Sequence, residues 1–173
     1  MQLIYRSAIG QDSHRFPAAF IQEGTIESPL RIAGIDIPTA AKMEANSDGD
    51  VILHAVTNAI SGITCQPVLG SRADTLCKQG HTDSRVYLDL ALDDFKKLGH
   101  FSFVHLSISI EALRPKFSPY IDAMRESVAG LLGMPLNAVA ITATTGEGLT
   151  GPGRGEGIEV LCILTVTEDR RFM

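Results

Sequence analysis

The sequence predicts an α+β fold, a two-layer α/β sandwich in which helices cover one face of a β-sheet. Two observations support this class. Three segments have the apolar spacing of amphipathic helices, and several other runs have the alternation or composition of strands. The 173-residue chain contains no internal repeat or linker and is long enough to bury one core. We therefore expect a single domain over residues 1–173.

The first fifty residues are predicted to form short strands and loops. Residues 3–9 have the composition of a strand, and residues 30–32 and 35–37 flank Ala33 and Gly34. Two short apolar runs around such a pair are typical of a tight β-hairpin.

Three helices are predicted after this region, over about residues 47–60, 83–98 and 119–132. The first has Ser47 or Asp48 as its N-cap, because both side chains can accept a hydrogen bond from the first turn. Its residues Val51, Ala55 and Ile60 are expected to face the core. The second and third helices are each followed by a glycine, a residue that suits the position after a helix.

The remaining strands are predicted at residues 103–110, 138–143 and 158–167. In the first of these, Val104, Leu106, Ile108 and Ile110 alternate with polar residues. Alternation with a period of two predicts a strand with one buried face, to which all four apolar side chains contribute.

The last strand is apolar on both faces. Val160, Cys162 and Leu164 lie on one face, whereas Leu161 and Ile163 lie on the other. Helices on one side of the sheet cover only one of these faces, so the second face requires another cover. A second copy of the chain is the simplest cover, and we expect a closed homo-oligomer.

Composition argues against several classes of protein. The net charge is −5 and no basic tract is present, which argues against a nucleic-acid partner. No run approaches the ~20 apolar residues of a membrane span. The first residues lack the pattern of a secretory signal, so we expect a cytoplasmic protein; a plastid location stays open if a transit peptide has been removed. Three scattered cysteines without C-x-x-C spacing indicate neither a disulfide framework nor a cysteine zinc site.

Asp12 and His14 form the first chemistry-bearing motif, directly after the first strand. In an extended segment, alternate residues point to the same side, so the two side chains are expected to lie together. A carboxylate and an imidazole are compatible with zinc. On its own this triplet is weak evidence, because such a spacing also arises by chance.

The second motif runs from Asn46 to His54 and places acidic residues at the start of the first predicted helix. One interpretation is an N-cap followed by a structural histidine on the helix face. The other is that His54 completes a three-ligand zinc set with Asp12 and His14. Three protein ligands leave a fourth position open, which is typical of catalytic zinc.

The third motif follows the strand at 138–143 and is rich in threonine and glycine, with Glu147 and Arg154 among them. Glycines and hydroxyls allow backbone N–H groups to approach an oxyanion, and an arginine can bind a phosphate through two N–H groups. A glutamate is an oxygen ligand suited to magnesium. The alternative is a glycine-rich hairpin without a ligand; the run is no P-loop, because it lacks the G-K-[ST] ending.

Together these motifs resemble the 2-C-methyl-D-erythritol 2,4-cyclodiphosphate synthase family of the non-mevalonate isoprenoid pathway. The matching stretches occur in the family's order between residue 9 and about residue 165, and read GQDSHRF, NSDGDVILHA, TDSRVYL, RPKFSPYIDAMR and ITATTGEGLTGPGRGEG. The resemblance implies a lyase that cyclises 4-diphosphocytidyl-2-C-methyl-D-erythritol 2-phosphate to the 2,4-cyclodiphosphate. In this reaction the 2-phosphate attacks the β-phosphorus and cytidine monophosphate (CMP) leaves.

The resemblance also implies two metal sites. Asp12, His14 and His54 match the family's zinc ligands, and Glu147 matches the ligand of a magnesium or manganese ion between the α- and β-phosphates.

The resemblance assigns the remaining site residues to catalysis or to substrate binding. Thr145 matches the family's transition-state-stabilising position, and Asn46, which replaces a histidine, is grouped with it as catalytic. The segment 112–118 matches the loop that recognises cytidine. The full substrate-binding set is Ser47, Gly70, Asp74, Ala112, Leu113, Arg114, Pro115, Lys116, Phe117, Ser118, Thr144, Thr145, Gly146 and Arg154.

The family's quaternary structure is a homotrimer packed through mixed β-sheets, with active sites between subunits. The resemblance therefore implies that the zinc residues and the cytidine loop of one site come from neighbouring chains. Arg154 matches a residue that lines the central cavity of the trimer.

Several residues depart from the family pattern near the site. Besides Asn46, Asn58 replaces an acid one turn after the zinc histidine, and Val68 replaces an aspartate expected to bind the methylerythritol hydroxyls. Leu76 lies in a changed segment that corresponds to a flexible flap and keeps Asp74. These changes bear on how the diol is held, and less on metal or diphosphate binding.

Two alternatives to an active cyclase stay open at the level of sequence. The first is a trimeric zinc- and nucleotide-binding module whose changed flap has lost turnover. The second is a zinc hydrolase, which requires a general base near the open metal position; Asp50 is the candidate for that base.

Overall fold

The computed structural model describes residues 3–169. Its strands are β1 (Leu3–Arg15), β2 (Pro29–Ile32), β3 (Ile35–Ala41), β4 (Phe101–Glu111), β5 (Val139–Thr144) and β6 (Gly157–Asp169). Its α-helices are α1 (Ala18–Glu23), α2 (Val51–Thr64), α3 (Ser71–Lys78), α4 (Ser84–Lys97) and α5 (Ile121–Leu132). Within these residues, no helix is long and apolar enough to cross a membrane.

Four strands form one mixed sheet in the order β1-β6-β4-β5. β6 runs antiparallel to both β1 and β4, whereas β5 runs parallel to β4. α2 packs on β1 and β6, α4 packs on α2, and α5 packs on β5. The predicted α+β sandwich with a mixed sheet is therefore confirmed. The predicted hairpin is the β2–β3 pair, in which Ile32 lies opposite Ile35.

The two faces of β6 have different environments. Val160, Cys162 and Leu164 are buried beneath the helices. Leu161 and Ile163 are 41% and 45% exposed. The strand is therefore apolar on both sides, as the sequence predicts, and one chain covers only one side.

The first long helix begins later than the sequence predicts. Its N-cap is Asp50, whose carboxylate accepts a hydrogen bond from the backbone N–H of Leu53, so the assignment of the cap to Ser47 or Asp48 is wrong. Asp50 also accepts hydrogen bonds from the N–H groups of Ala33 and Gly34 in the hairpin. A residue that joins two elements in this way cannot be recognised from local helix signals.

Val104 is the one apolar residue of the predicted β4 face that is wrongly placed. The pairing of β4 with β6 shifts register between Phe103 and His105. Because a single extra residue reverses the side-chain alternation, Phe103 turns inward and stacks on Phe95 at 4.2 Å between ring centroids. Val104 is left 37% exposed.

The sequence predicts neither of the two short helices, α1 and α3. α3 occupies the segment that the family resemblance identifies with a flexible flap, and it begins after Gly70 without a side-chain cap. α1 has no side-chain cap either and buries only Phe20. Neither helix has the capping side chain that marks the start of a helix in a sequence.

Candidate metal centre

β1 and α2 bring Asp12, His14 and His54 together. β1 extends to Arg15, so the two motif residues lie within the strand and project from one face toward α2. Gly10 permits this approach, because a Cβ at that position would overlap the backbone oxygen of Ala55 in α2. The predicted juxtaposition therefore depends on a strand and a helix whose backbones touch.

The three side chains present one atom each to a common point. Asp12 Oδ2 lies 2.9 Å from His54 Nδ1 and 3.1 Å from His14 Nε2. The two imidazole nitrogens are 3.2 Å apart. A tetrahedral zinc ion, with bonds of about 2.0–2.1 Å to nitrogen and oxygen, separates its ligand atoms by about 3.3 Å. The chemistry of these three donor atoms and the distances between them therefore fit a divalent metal ion.

Electrostatics favours an ionised ligand at Asp12. Burial raises the pKa of this carboxyl group, but hydrogen bonds to His14 and His54 outweigh burial and lower the pKa of Asp12 to about 2. The same hydrogen bond to Asp12 raises the pKa of His14, although burial opposes it. Asp12 is therefore a carboxylate at neutral pH, and a metal ion must compete with a proton at His14.

The second ring nitrogen of His54 is also held. Its Nε2 lies 2.9 Å from Ser84 Oγ and 3.4 Å from Ser47 Oγ. Ser84 Oγ makes a further, short hydrogen bond to a carboxylate oxygen of Asp48. The sequence carries no signal for Ser84 beyond its place in the family-like stretch TDSRVYL.

A cavity of about 210 Å³ opens beside the three ligands. Four residues predicted for the substrate or for catalysis contribute to its wall, namely Asn46, Ser47, Gly70 and Asp74. Sequence reasoning missed five further wall residues, namely Ala45, Leu69, Ala73, Cys77 and Tyr87. Cys77 comes from α3, where its thiol donates to the backbone oxygen of Asn46 at 3.0 Å.

The predicted phosphate and cytidine segments form a second surface. The N–H of Ala112 donates to the carbonyl of Thr144 at 3.0 Å, and the N–H of Leu113 donates to Pro152 at 2.9 Å. Thr145 is exposed beside Glu147 and donates to its carboxylate at 3.2 Å. Within residues 3–169 of one chain, none of these residues lines the metal cavity.

Within the segment 112–118, burial separates the accessible side chains from the structural ones. Leu113, Lys116 and Ser118 are exposed, whereas Ala112, Pro115 and Phe117 are buried. Arg114 is tied to α1, since its guanidinium donates to the carbonyl of Ile21 at 2.9 Å and lies over Phe20.

Arg154 and Gly146 complete the predicted set. The guanidinium of Arg154 pairs with Glu156 at 2.9 Å. Gly146 has φ +67° and lies against Glu111, where a Cβ would overlap the carboxylate. This glycine therefore keeps the threonine- and glycine-rich loop close to the end of β4.

Two of the departures from the family pattern, Val68 and Asn58, have structural roles. Val68 is fully buried in the core. Asn58 donates to the carbonyl of Gln11 at 3.0 Å and so joins α2 to β1.

Asp50, the candidate base of a hydrolase, is fully buried and accepts the hydrogen bonds described above; burial raises its pKa. It does not line the metal cavity, which removes the candidate base of the hydrolase interpretation.

The comparisons with known proteins agree with this geometry. The model of the YgbB family matches residues 5–167. A 2-C-methyl-D-erythritol 2,4-cyclodiphosphate synthase from Chlamydia caviae is 46% identical over 168 residues, which cover 96% of this chain and 92% of that protein.

Solved structures of cyclodiphosphate synthases have the same fold as this chain. The bifunctional IspDF from Campylobacter jejuni superposes with a TM-score of 0.83 at 28% identity; the match covers 97% of this chain and 43% of that longer one. A 2C-methyl-D-erythritol-2,4-cyclodiphosphate synthase in its CDP-bound form gives a TM-score of 0.75 at 25% identity and covers 92% of this chain and 98% of that one. The chain therefore belongs to the YgbB family, the family of the 2-C-methyl-D-erythritol 2,4-cyclodiphosphate synthases.

Proposed function

We propose that this protein cyclises 4-diphosphocytidyl-2-C-methyl-D-erythritol 2-phosphate to 2-C-methyl-D-erythritol 2,4-cyclodiphosphate and releases CMP. The observation that carries the proposal is the convergence of Asp12, His14 and His54 beside a cavity, in a chain of this family. The reaction needs no water and no covalent intermediate. The protein must fold the substrate so that its two phosphates meet in line, and must stabilise the charge of the transition state.

The metal ligands divide between the two surfaces. Asp12, His14 and His54 would hold zinc, and Glu147 would hold magnesium or manganese. When bound, these cations supply the positive charge that polarises the diphosphate and stabilises the developing charge. Glu147 is exposed and reaches its neighbour Thr145, so its carboxylate is accessible to a second ion.

The chain's own polar groups bind and orient the phosphates. Thr144, Thr145 and the N–H of Gly146 lie at the end of β5, where hydroxyl and backbone donors can contact phosphate oxygens. Asn46 lines the metal cavity and can donate an amide N–H to a phosphate, but it can neither carry a positive charge nor transfer a proton. Catalysis in this protein therefore relies on positioning and charge rather than on a histidine at position 46.

The cavity wall indicates how the diol is held. The side chain at position 68 is an apolar core residue, so the hydroxyls must be bound by other groups. Asp74 and the backbone of Gly70 line the cavity and provide polar contacts. The altered α3 segment thus retains groups that can bind a diol.

We further propose that the active protein is a homotrimer in the cytoplasm. The uncovered apolar face of β6 supports assembly through the sheets. The separation of the metal cavity from the loops at 112–118 and 144–147 supports sites built from two chains. The Chlamydia relatives support a bacterial cytoplasm as the location.

The deciding experiment is to follow CMP release from the substrate by phosphorus NMR in the presence of zinc and magnesium. We expect CMP and a cyclic diphosphate in equal amounts. A linear, water-derived product would indicate hydrolysis instead. Tight binding of zinc and cytidine diphosphate without CMP release would establish the non-catalytic module and direct attention to Val68 and Leu76.

A further inference from the structure

We propose that Ser84 and Asp48 form a positioning pair that fixes the tautomer of His54, so that its Nδ1 faces the metal as a free lone pair. This inference rests on the metal role proposed above. It concerns two residues that do not touch the metal, and it follows from counting the protons available to one buried hydroxyl.

Ser84 makes two hydrogen bonds through Oγ but has only one proton to donate. One partner is the carboxylate of Asp48, and the other is Nε2 of His54 at 2.9 Å. The carboxylate of Asp48 accepts from the hydroxyl of Ser84, so the one proton of Ser84 lies on this hydrogen bond. Ser84 Oγ must then accept from His54, and Nε2 must be the protonated nitrogen of the ring.

The opposite side of the ring agrees with this assignment. Nδ1 of His54 lies 2.9 Å from Asp12 Oδ2 and 3.2 Å from Nε2 of His14. With the proton on Nε2, a neutral His54 presents a lone pair at Nδ1 to these two atoms. Nδ1 can then donate to Asp12 only in the doubly protonated ring, and a metal ion takes the place of that second proton. Lone pairs at such distances repel one another unless a cation lies among them. The tautomer set by Ser84 is thus the one that a metal ion at this point requires.

The pair is built into the fold rather than placed on a mobile surface. Ser84 is fully buried at the first position of α4. Its own N–H donates to the second carboxylate oxygen of Asp48 at 3.1 Å, and the N–H of Asp48 donates to the carbonyl of Thr82 at 2.8 Å. Asp48 is therefore held by backbone groups at the start of α4, and α4 supports a ligand that belongs to α2.

The test measures zinc affinity by chelator competition in Ser84→Ala, in Asp48→Ala and in the double variant. We expect each single variant to raise the zinc Kd about 10–100-fold, because outer partners of a metal-bound histidine have effects of this size. The zinc Kd of the double variant should rise no further than that of the more affected single variant, since both residues act through one chain of hydrogen bonds. Additive losses would show that the two residues act separately and would overturn the proposal.

Thr57→Val is the matched control. It removes a buried hydroxyl one turn along α2, where Thr57 Oγ1 donates to the carbonyl of Leu53 and does not contact His54. Its zinc Kd should equal that of the wild type even if its stability falls. An unchanged Kd in Ser84→Ala, or an equal rise in Thr57→Val, would overturn the positioning role.

Proton NMR supplies a readout that does not depend on activity. In the zinc-loaded wild type at about pH 8, the ¹H–¹⁵N spectrum should show a proton on His54 Nε2 that exchanges slowly with water. In Ser84→Ala this proton should exchange rapidly. A bare Nε2 in the wild type would overturn the assignment. Failure of the wild type to bind zinc would show that the proposed metal role is wrong. The same spectrum of the metal-free protein would still show whether Ser84 or His54 donates the hydrogen bond between them.

Discussion

At the scale of single residues, His54 is the most constrained member of the candidate metal centre. Its ring is buried, with Asp12 and His14 on the Nδ1 side and Ser84 and Ser47 on the Nε2 side. Asp12 and His14 are more exposed and lie on a strand. Loss of His54 therefore removes both a ligand and the link between the metal and the start of α4.

Replacement of His54 tests the zinc assignment directly. In His54→Ala, we expect the bound zinc to fall below one ion per chain and CMP release to fall with it, because two ligands remain of three. Metal analysis after dialysis measures the first quantity. His81→Ala is the control, since His81 is exposed and outside the cavity wall. Stoichiometric zinc in His54→Ala would show that the ligand assignment is wrong.

Glu147 tests the second cation. Glu147→Gln preserves the shape of the side chain but removes its charge, so the magnesium concentration for half-maximal CMP release should rise while zinc stays bound. The control is Glu126→Gln, an exposed acid on α5. An identical magnesium titration in Glu147→Gln and the wild type would exclude Glu147 as a ligand.

Much of the metal centre could be predicted from the sequence, and the reason is local. Asp12 and His14 share a face because a strand alternates, and the family-like motif around His54 indicated the third candidate ligand. Ser84 lies 30 residues from His54, and Cys77 and Tyr87 enter the cavity from α3 and α4. Their positions depend on helix packing, which no local spacing encodes.

At the scale of elements, the contact between β1 and α2 holds the metal ligands together. Gly10 lies against the backbone of Ala55 and Ala59, and Gly62 lies against Ala8 two residues earlier in the strand. Small residues at both positions bring the helix close to the strand. The distance between Asp12 and His54 is therefore set by backbone contact rather than by the ligand side chains alone.

A methyl group at position 10 should separate these elements. In Gly10→Ala, we expect the free energy of unfolding to fall by about 3 kcal/mol, because backbone atoms of α2 must move away. Zinc affinity should fall as well, since Asp12 and His54 move apart. Urea unfolding and chelator competition measure the two effects.

Gly130→Ala is the matched control for this substitution. Gly130 lies within α5 and has open space where its Cβ would be, so the change should raise the free energy of unfolding by about 1 kcal/mol. A wild-type zinc affinity in Gly10→Ala would contradict the role of this contact in the metal centre.

The long elements could be predicted from the sequence, whereas the short ones could not. α4 was expected at residues 83–98 and is observed at Ser84–Lys97, because its cap and its apolar stripe are local signals. α3 lacks a capping side chain and buries only Ala73, so its helix is stabilised by tertiary context. The shift near Phe103 in β4 depends on the partner strand β6, which the alternation of β4 alone does not describe.

At the scale of the whole molecule, the outer face of the sheet is the main apolar surface left uncovered among residues 3–169. Ile9 is 65% exposed and lies opposite Ile163 in the β1–β6 ladder, and Tyr5 is 64% exposed on the same strand. Exposed apolar patches of this kind mark interaction surfaces. This supports the proposed assembly through the sheets.

A charge on this face should disrupt assembly without removing the metal ligands. We expect Ile9→Asp to sediment as a monomer, because a charge on this face opposes contact between the sheets. The variant should retain zinc, since the metal ligands lie on the opposite face of β1, and should release no CMP, since its sites lack the neighbouring chain. Ile26→Asp, at an exposed apolar loop residue, should sediment like the wild type. A monomer of Ile9→Asp with full turnover would show that one chain contains a complete site.

The separation of the metal cavity from the loop at 144–147 has a genetic consequence. If each site combines the ligands of one chain with the loop of its neighbour, two inactive chains can complement each other. Trimers assembled from equal amounts of His54→Ala and Thr145→Ala chains should regain activity at about a quarter of their sites, those that pair an intact metal set with an intact loop. The two homotrimers mixed after assembly should stay inactive.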